Sequence, residues 1–236
     1  MRSFRLEPFL WIHAAGLVAC PIFLGLCWLG LAVGDPLLPV WLELLFVAVV
    51  GITPILWMQW QRPFYIFSVM ALAMKPEQLT LKQRQILSFF KTPGNRVAGV
   101  LVAVVAVAIL WQLYQAAPIA AEVTPFPPEW RIVGLIFAGL SFLASNLFLQ
   151  VPVSVFRVVL TNDSKFAATE PYPLEQIRQN FSIPGIRVNQ ILPAIETDAE
   201  PVVDAAIAAS PSSAVASSAG VVEVENPTPP DHTATE

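Results

Sequence analysis

Two ionisable side chains interrupt the long apolar runs of this chain, and each suggests a different chemistry. His13 stands in the run 9–33, where a neutral imidazole could ligate the metal of a haem or pigment. Glu43 stands in the run 37–60, and a carboxylate at such a place is a usual mark of a proton or ion path. Each also has a plainer reading. A bis-histidine site within one chain needs a second intramembrane His, and His13 has none, so an imidazole near one membrane face, reaching water or headgroups, accounts for it. Glu43 lies about 9 Å into its run at a rise of about 1.5 Å per residue. Trp41 beside it marks the headgroup level. A relay from Glu43 to His13 would have to cross on the order of 20 Å. Transporters show several intramembrane polar groups or helices broken at mid-depth. Here the candidates are the carboxylate of Glu43 and the interior proline Pro54.

The remaining reactive side chains offer less. Cys20 and Cys27 would lie about 10 Å apart along one helix face, too far to bridge, and read as small apolar filler. Leu17-Val18-Ala19-Cys20 has the form of a lipoprotein cleavage box, with Cys20 as the acylated residue. The apolar run continues well past Cys20, longer than a cleaved signal needs, so the segment is expected to be a membrane span. No phosphate-binding glycine loop, H-E-x-x-H, paired cysteines at two-residue spacing or G-x-S-x-G is present. The sequence therefore predicts a non-enzymatic protein, with no catalytic residue, metal or cofactor.

The elements that hold these residues are set by composition. Of 236 residues, 56% are hydrophobic and 13% are charged, about half the charged share of a soluble domain. Crossing a bilayer core takes about 20 apolar residues as helix. Four segments qualify: 9–33, 37–60, 97–117 and 132–156. Helix is the expected form, because an isolated span must satisfy its own backbone in lipid. Twelve of the 13 Lys and Arg lie in the N-terminus, in 61–96 or after the fourth span; Arg131 stands alone at the edge of the opposite side. That asymmetry predicts that both termini and 61–96 face the cytoplasm. Tryptophans agree: Trp11, Trp57 and Trp60 fall at the inner ends, and Trp28, Trp41, Trp111 and Trp130 at the outer ends.

Small residues recur at helical spacing in the last two spans. Gly99, Ala103 and Ala106 form one stripe, and Gly134, Ala138, Ser141 and Ser145 form another. Such stripes let helices approach closely, within the bundle or against a second copy or partner. Asn146 and Gln150 extend the second stripe with groups that can hydrogen-bond across helices.

The connection 61–96 is expected to be an interfacial platform. Residues 63–74 carry no charge and read as a short helix lying in the inner interface, with Pro63 in its first turn. Thr80 and Gln83 make a capping-box pair that starts a second helix. Its Ile86, Leu87, Phe89 and Phe90 make an apolar side, opposite Arg84 and Lys91; Arg62 and Lys82 add positive charge. A basic amphipathic helix of this kind is expected on an anionic lipid surface or against a partner protein. The segment 161–195 is a short cytoplasmic piece, with one helix starting near Leu174 and extended chain after it. The tail 196–236 holds eight acidic residues and no Lys or Arg, and is expected to be disordered.

The strings "EPFLWIH", "GDPLLPVWLELL", "ILWMQWQRPFYIFS", "KPEQLT", "SNLFLQVPVSV", "EPYPLEQIRQ" and "GIRVNQILP" resemble the cyanobacterial low-complexity tail membrane proteins over most of residues 1–195. The tail is similar in kind and not in letters. The resemblance implies a cyanobacterial membrane, plasma or thylakoid; it implies no activity and no catalytic residues. The expected architecture is an all-α, four-transmembrane-helix bundle with a cytoplasmic amphipathic segment and a disordered C-terminal tail. The expected partners are the lipid bilayer and a membrane-protein complex or a second copy of the chain, and not nucleic acid. A structural, assembly or scaffolding role leads, ahead of transport through Glu43 and of pigment or haem binding through His13.

Overall fold

The computed structural model of the chain describes residues 4–69 and 71–192. Four helical segments in it are long and apolar enough to cross a membrane: Pro8–Leu31, Val40–Gln61, Pro93–Ala120 and Pro128–Val159. The first is built from α1 (Pro8–Ala15) and α2 (Ala19–Leu31), joined by a tighter 3-10 turn at Gly16–Val18. Pro21 supplies a reason, since it has no N–H for the carbonyl four residues back and its ring crowds that carbonyl. The second span is α3 (Val40–Gln61), the third continues from α5 (Pro93–Ala116) through a 3-10 turn, and the fourth contains α6 (Arg131–Val159).

α6 is the central helix and packs against α1, α2, α3 and α5. Its small residues permit this. A Cβ on Gly30 of α2 would come within 2.7 Å of the Gly134 carbonyl oxygen, and one on Gly134 would come equally close to that of Gly30. The two backbones therefore meet with no side chain between them, as small-residue helix crossings in membranes do. Lower down, the ring of Phe142 fills the space above Gly51 of α3. Cys27, Leu31, Val47, Ala103, Ala106, Leu110, Ala138 and Phe142 close the bundle core. The outward faces stay apolar and exposed, with Leu45, Val49, Leu101, Val104, Ile136 and Leu140 among them, which suits hydrocarbon.

The segment 63–74 departs from the interfacial helix that its apolar run predicts. It forms β1 (Ser68–Val69) and β2 (Leu72–Met74), paired antiparallel. β2 also pairs in parallel with β3 (Ile186–Val188), giving a sheet in the order β1-β2-β3. The run is apolar because it is buried in protein: Tyr65, Ile66 and Phe67 are fully enclosed. Gly185 enters β3 at φ +83°, where a Cβ would also strike the Ala71 carbonyl, so only glycine suits that close approach. The bundle is thus all-α, and the part beside it is mixed.

The second platform helix, α4 (Leu81–Phe90), does form, and both bonds of the Thr80–Gln83 capping box are made. Its apolar side faces a protein core and not a lipid surface. Ile86, Leu87, Phe89 and Phe90 pack with Phe4, Phe9 and Leu10 near the start of the chain, with Val155 and Val158 of α6, and with Phe166, Ile177 and Phe181 beyond it. Phe166 lies in α7 (Asp163–Ala167), and Ile177 in α8 (Leu174–Asn180), which starts at the residue that the sequence indicates. Residues 61–96 and 157–192 therefore build one folded cap on the ends of the first and fourth spans. The proposed disordered tail, 196–236, lies outside the described residues.

Candidate functional site

The most unusual chemistry in the bundle is an ion pair at the end remote from the cap. Glu43 lies in the first turn of α3 and Arg131 is the first residue of α6. The two helices run in the same direction, so their first turns reach the same depth. The Arg131 guanidinium meets Oε2 of Glu43 through Nη2 and donates to it from Nε at 3.1 Å. Its Nη1 donates to the carbonyls of Leu31 at 2.7 Å and Val33 at 2.9 Å. Oε1 of Glu43 accepts from the backbone N–H of Leu37 at 2.9 Å and of Leu38 at 3.3 Å.

Both side chains are closed off from solvent, at 2% exposure for Arg131 and 0% for Glu43. Removing two charges from water is costly and is offset only when geometry is good and the remaining donors and acceptors are matched. Here both carboxylate oxygens and all three guanidinium nitrogens have partners. The partners include the free carbonyls where α2 ends and the turn leading into α3. One pair therefore ties together α2, the 33–38 turn, α3 and α6. The turn is tight: Gly34 takes φ +58°, with the Pro128 carbonyl where a Cβ would be.

Glu43 is thus closed off from water, and Arg131, at the loop edge where the sequence puts it, is enclosed with it. The sequence signal that links them is their matched place at the starts of two spans running in the same direction, with opposite charge.

His13 stands apart from this pair. Its Nδ1 is 2.8 Å from the Phe9 carbonyl, and its ring is tilted against Phe64 at 5.5 Å. Among the described residues, no group of three or more His, Cys, Asp or Glu could hold a metal. Cys20 and Cys27 are free and buried; the Cys20 Sγ lies 3.3 Å from the Ser145 Oγ.

The small-residue stripes face inward. Gly134 and Ala138 lie against Gly30, Gly99 approaches Leu56 and Gln150, and Ala103, Ala106, Ser141 and Ser145 are buried. Asn146 donates to the Gly51 carbonyl at 3.0 Å, and Gln150 donates to Asn146 Oδ1 at 3.2 Å. Oε1 of Gln59 and of Gln150 and Nε1 of Trp28 are buried without a protein partner among the described residues.

At the cap, Arg84 Nε donates to the Tyr172 carbonyl at 2.7 Å, and Lys91 Nζ donates to the Gln61 carbonyl at 2.9 Å. Burial, with help from Arg96 and Arg62, holds the Lys91 ammonium below the usual lysine range. Burial pushes the Tyr65 phenol up, and Glu77 adds to this; the phenol donates to the Met74 carbonyl at 3.0 Å. Burial also raises the Glu7 carboxyl, opposed by the hydrogen bond from Gln83. Arg62 and Lys82 are exposed. Of the residues expected on a platform, Ile86, Phe89 and Phe90 are therefore core, Arg84 and Lys91 tie the cap together, and Arg62 and Lys82 stay at the surface.

No curated protein and no solved structure matches the chain. The family model described as low-complexity tail membrane protein-like matches residues 6–193, which takes in all four spans and the cap. The chain belongs to the low-complexity tail membrane protein-like family.

Proposed function

We propose that the protein is a non-enzymatic membrane scaffold: the bundle anchors the cap, and the cap docks a partner in the assembly of a membrane complex. The observation that carries this reading is that the carboxylate–guanidinium pair between two of the spans, Glu43–Arg131, is saturated by bonds of the fold. Transport through Glu43 would need its carboxylate to reach water, and both of its oxygens are taken. In this reading the cap faces the cytoplasm, because it and the N-terminus carry most of the Lys and Arg. The host membrane is the cyanobacterial one that the sequence resemblance implies.

The cap offers a place to dock. Leu72 and Ile186 are register partners on neighbouring strands and are 42% and 70% exposed. β3 is an edge strand, and edges of this kind accept pairing from another chain. The test is co-purification. A chain tagged at its C-terminus, released from its own membranes in mild detergent, is expected to bring down a partner in fixed ratio. The variant Leu72→Glu/Ile186→Glu, with unchanged elution and thermal stability, is expected to lose it. Wild-type protein that emerges with lipid alone would overturn the reading.

A further inference from the structure

We propose that a cavity at the membrane boundary of the cap end binds the phosphate of an anionic phospholipid headgroup. The cavity measures about 270 Å³ and lies where α5 begins and α6 ends, against α7. Arg157 and Lys165 line it, together with Thr92, Gly94, Asn95 and Ser154. Among the described residues, no Asp or Glu lines it.

Three observations point to an anion. The first is uncompensated charge. Neither the Arg157 guanidinium nor the Lys165 ammonium has a hydrogen-bond or ion-pair partner among the described residues. The nearest acid in sequence, Asp163, is engaged by Arg5 at 3.5 Å. Two cations facing one cavity repel each other and attract a shared anion, and a guanidinium suits phosphate oxygens in particular.

The second is shape. A Cβ on Gly94 would collide with Nη2 of Arg157. The glycine therefore lets the guanidinium lie on the first turn of α5, whose partial positive charge adds to that of the two side chains.

The third is depth. Arg157 ends the apolar stretch of the fourth span, and Pro93 opens the third, which puts the cavity at headgroup level. Basic pockets between helices at this level take lipid headgroups. On the same two helices Val97, Leu101 and Phe156 are exposed and apolar, as a surface for acyl chains must be. A water needs about 10–15 Å³ of such space, so the volume is far more than one or two waters need and is ample for a phosphodiester.

The test uses purified full-length protein. Native mass spectrometry with phosphatidylglycerol and, separately, phosphatidylcholine reads lipid adducts directly. The wild type is expected to prefer phosphatidylglycerol. Arg157→Gln and Lys165→Gln are each expected to weaken that binding roughly fivefold, and the pair roughly 25-fold if the two act independently. Arg96→Gln, an exposed cation outside the cavity, is expected to leave it unchanged. Lys165 is exposed on a short surface helix, so its variant stays informative if Arg157→Gln impairs folding. A double variant with undiminished preference, or an equal loss in Arg96→Gln, would overturn the proposal. Competition by inorganic phosphate at millimolar concentration, with no preference between the two lipids, would assign the site to a soluble phosphate and overturn the lipid assignment.

Discussion

Arg131→Gln alone is expected to cost about 3–5 kcal/mol of stability, the range for breaking a buried pair by removing one partner. It leaves the Glu43 carboxyl enclosed and held only by the N–H groups of Leu37 and Leu38. It also removes a guanidinium that donates to the Leu31 and Val33 carbonyls. Glu43→Gln is expected to cost a similar amount, because it leaves the positive charge buried. The double variant Glu43→Gln/Arg131→Gln removes both charges and keeps amide groups that can still donate and accept. Its loss is expected to be smaller than the sum of the two single losses by at least about 1.5 kcal/mol, well outside ordinary additivity error. Thermal unfolding in detergent, followed by tryptophan fluorescence, reads all four proteins. Losses that simply add would mean that the two side chains act independently and that the pair does not hold the helix ends together.

Gly134→Leu is the second large effect. At this crossing the backbones of α2 and α6 touch, and a Cβ at Gly134 would lie 2.7 Å from the Gly30 carbonyl oxygen and 2.7 Å from Cβ of Val33. Overpacking commonly costs about 1–3 kcal/mol where side chains can shift. Here the obstacle is main chain, which cannot rotate away, so the cost is expected at or above the upper end. Separating these helices would also pull Arg131 from the Leu31 and Val33 carbonyls. Gly25→Leu is the matched control, since a Cβ there meets nothing within 4 Å. The expected result is a sharp fall in monodisperse protein and melting temperature for Gly134→Leu, with Gly25→Leu close to wild type. Equal behaviour of the two would contradict the close crossing.

The spans were legible because their signal is local: each is a long uncharged run that only a helix can carry through lipid. The start of α4 was legible for the same reason, since Thr80 and Gln83 lie within one turn. What the sequence hid depends on distant pairing. Residues 63–74 are too short to separate strand from helix by apolar content alone. The strand that settles the matter, Ile186–Val188, lies beyond two further spans. The apolar side of α4 reads as lipid-facing until Phe4, Phe166 and Phe181 are seen to cover it. Arg131 was hidden by its position. It looks like one loop-edge cation in a topology count, and only the parallel course of the second and fourth spans sets it beside Glu43. The inward stripe of α6 shows the converse limit. Its spacing marks close packing but does not name the partner, which is Gly30 of the same chain.

A cap that docks a protein while the bundle anchors it has a signature in intact membranes: photocrosslinking with a photoreactive residue placed at Ile186 on the sheet or at Leu101 on the lipid-facing side of α5. The expected result is a discrete protein adduct of constant mass from position 186 and only lipid adducts from position 101. No protein adduct from position 186, or the same adducts from both positions, would contradict it.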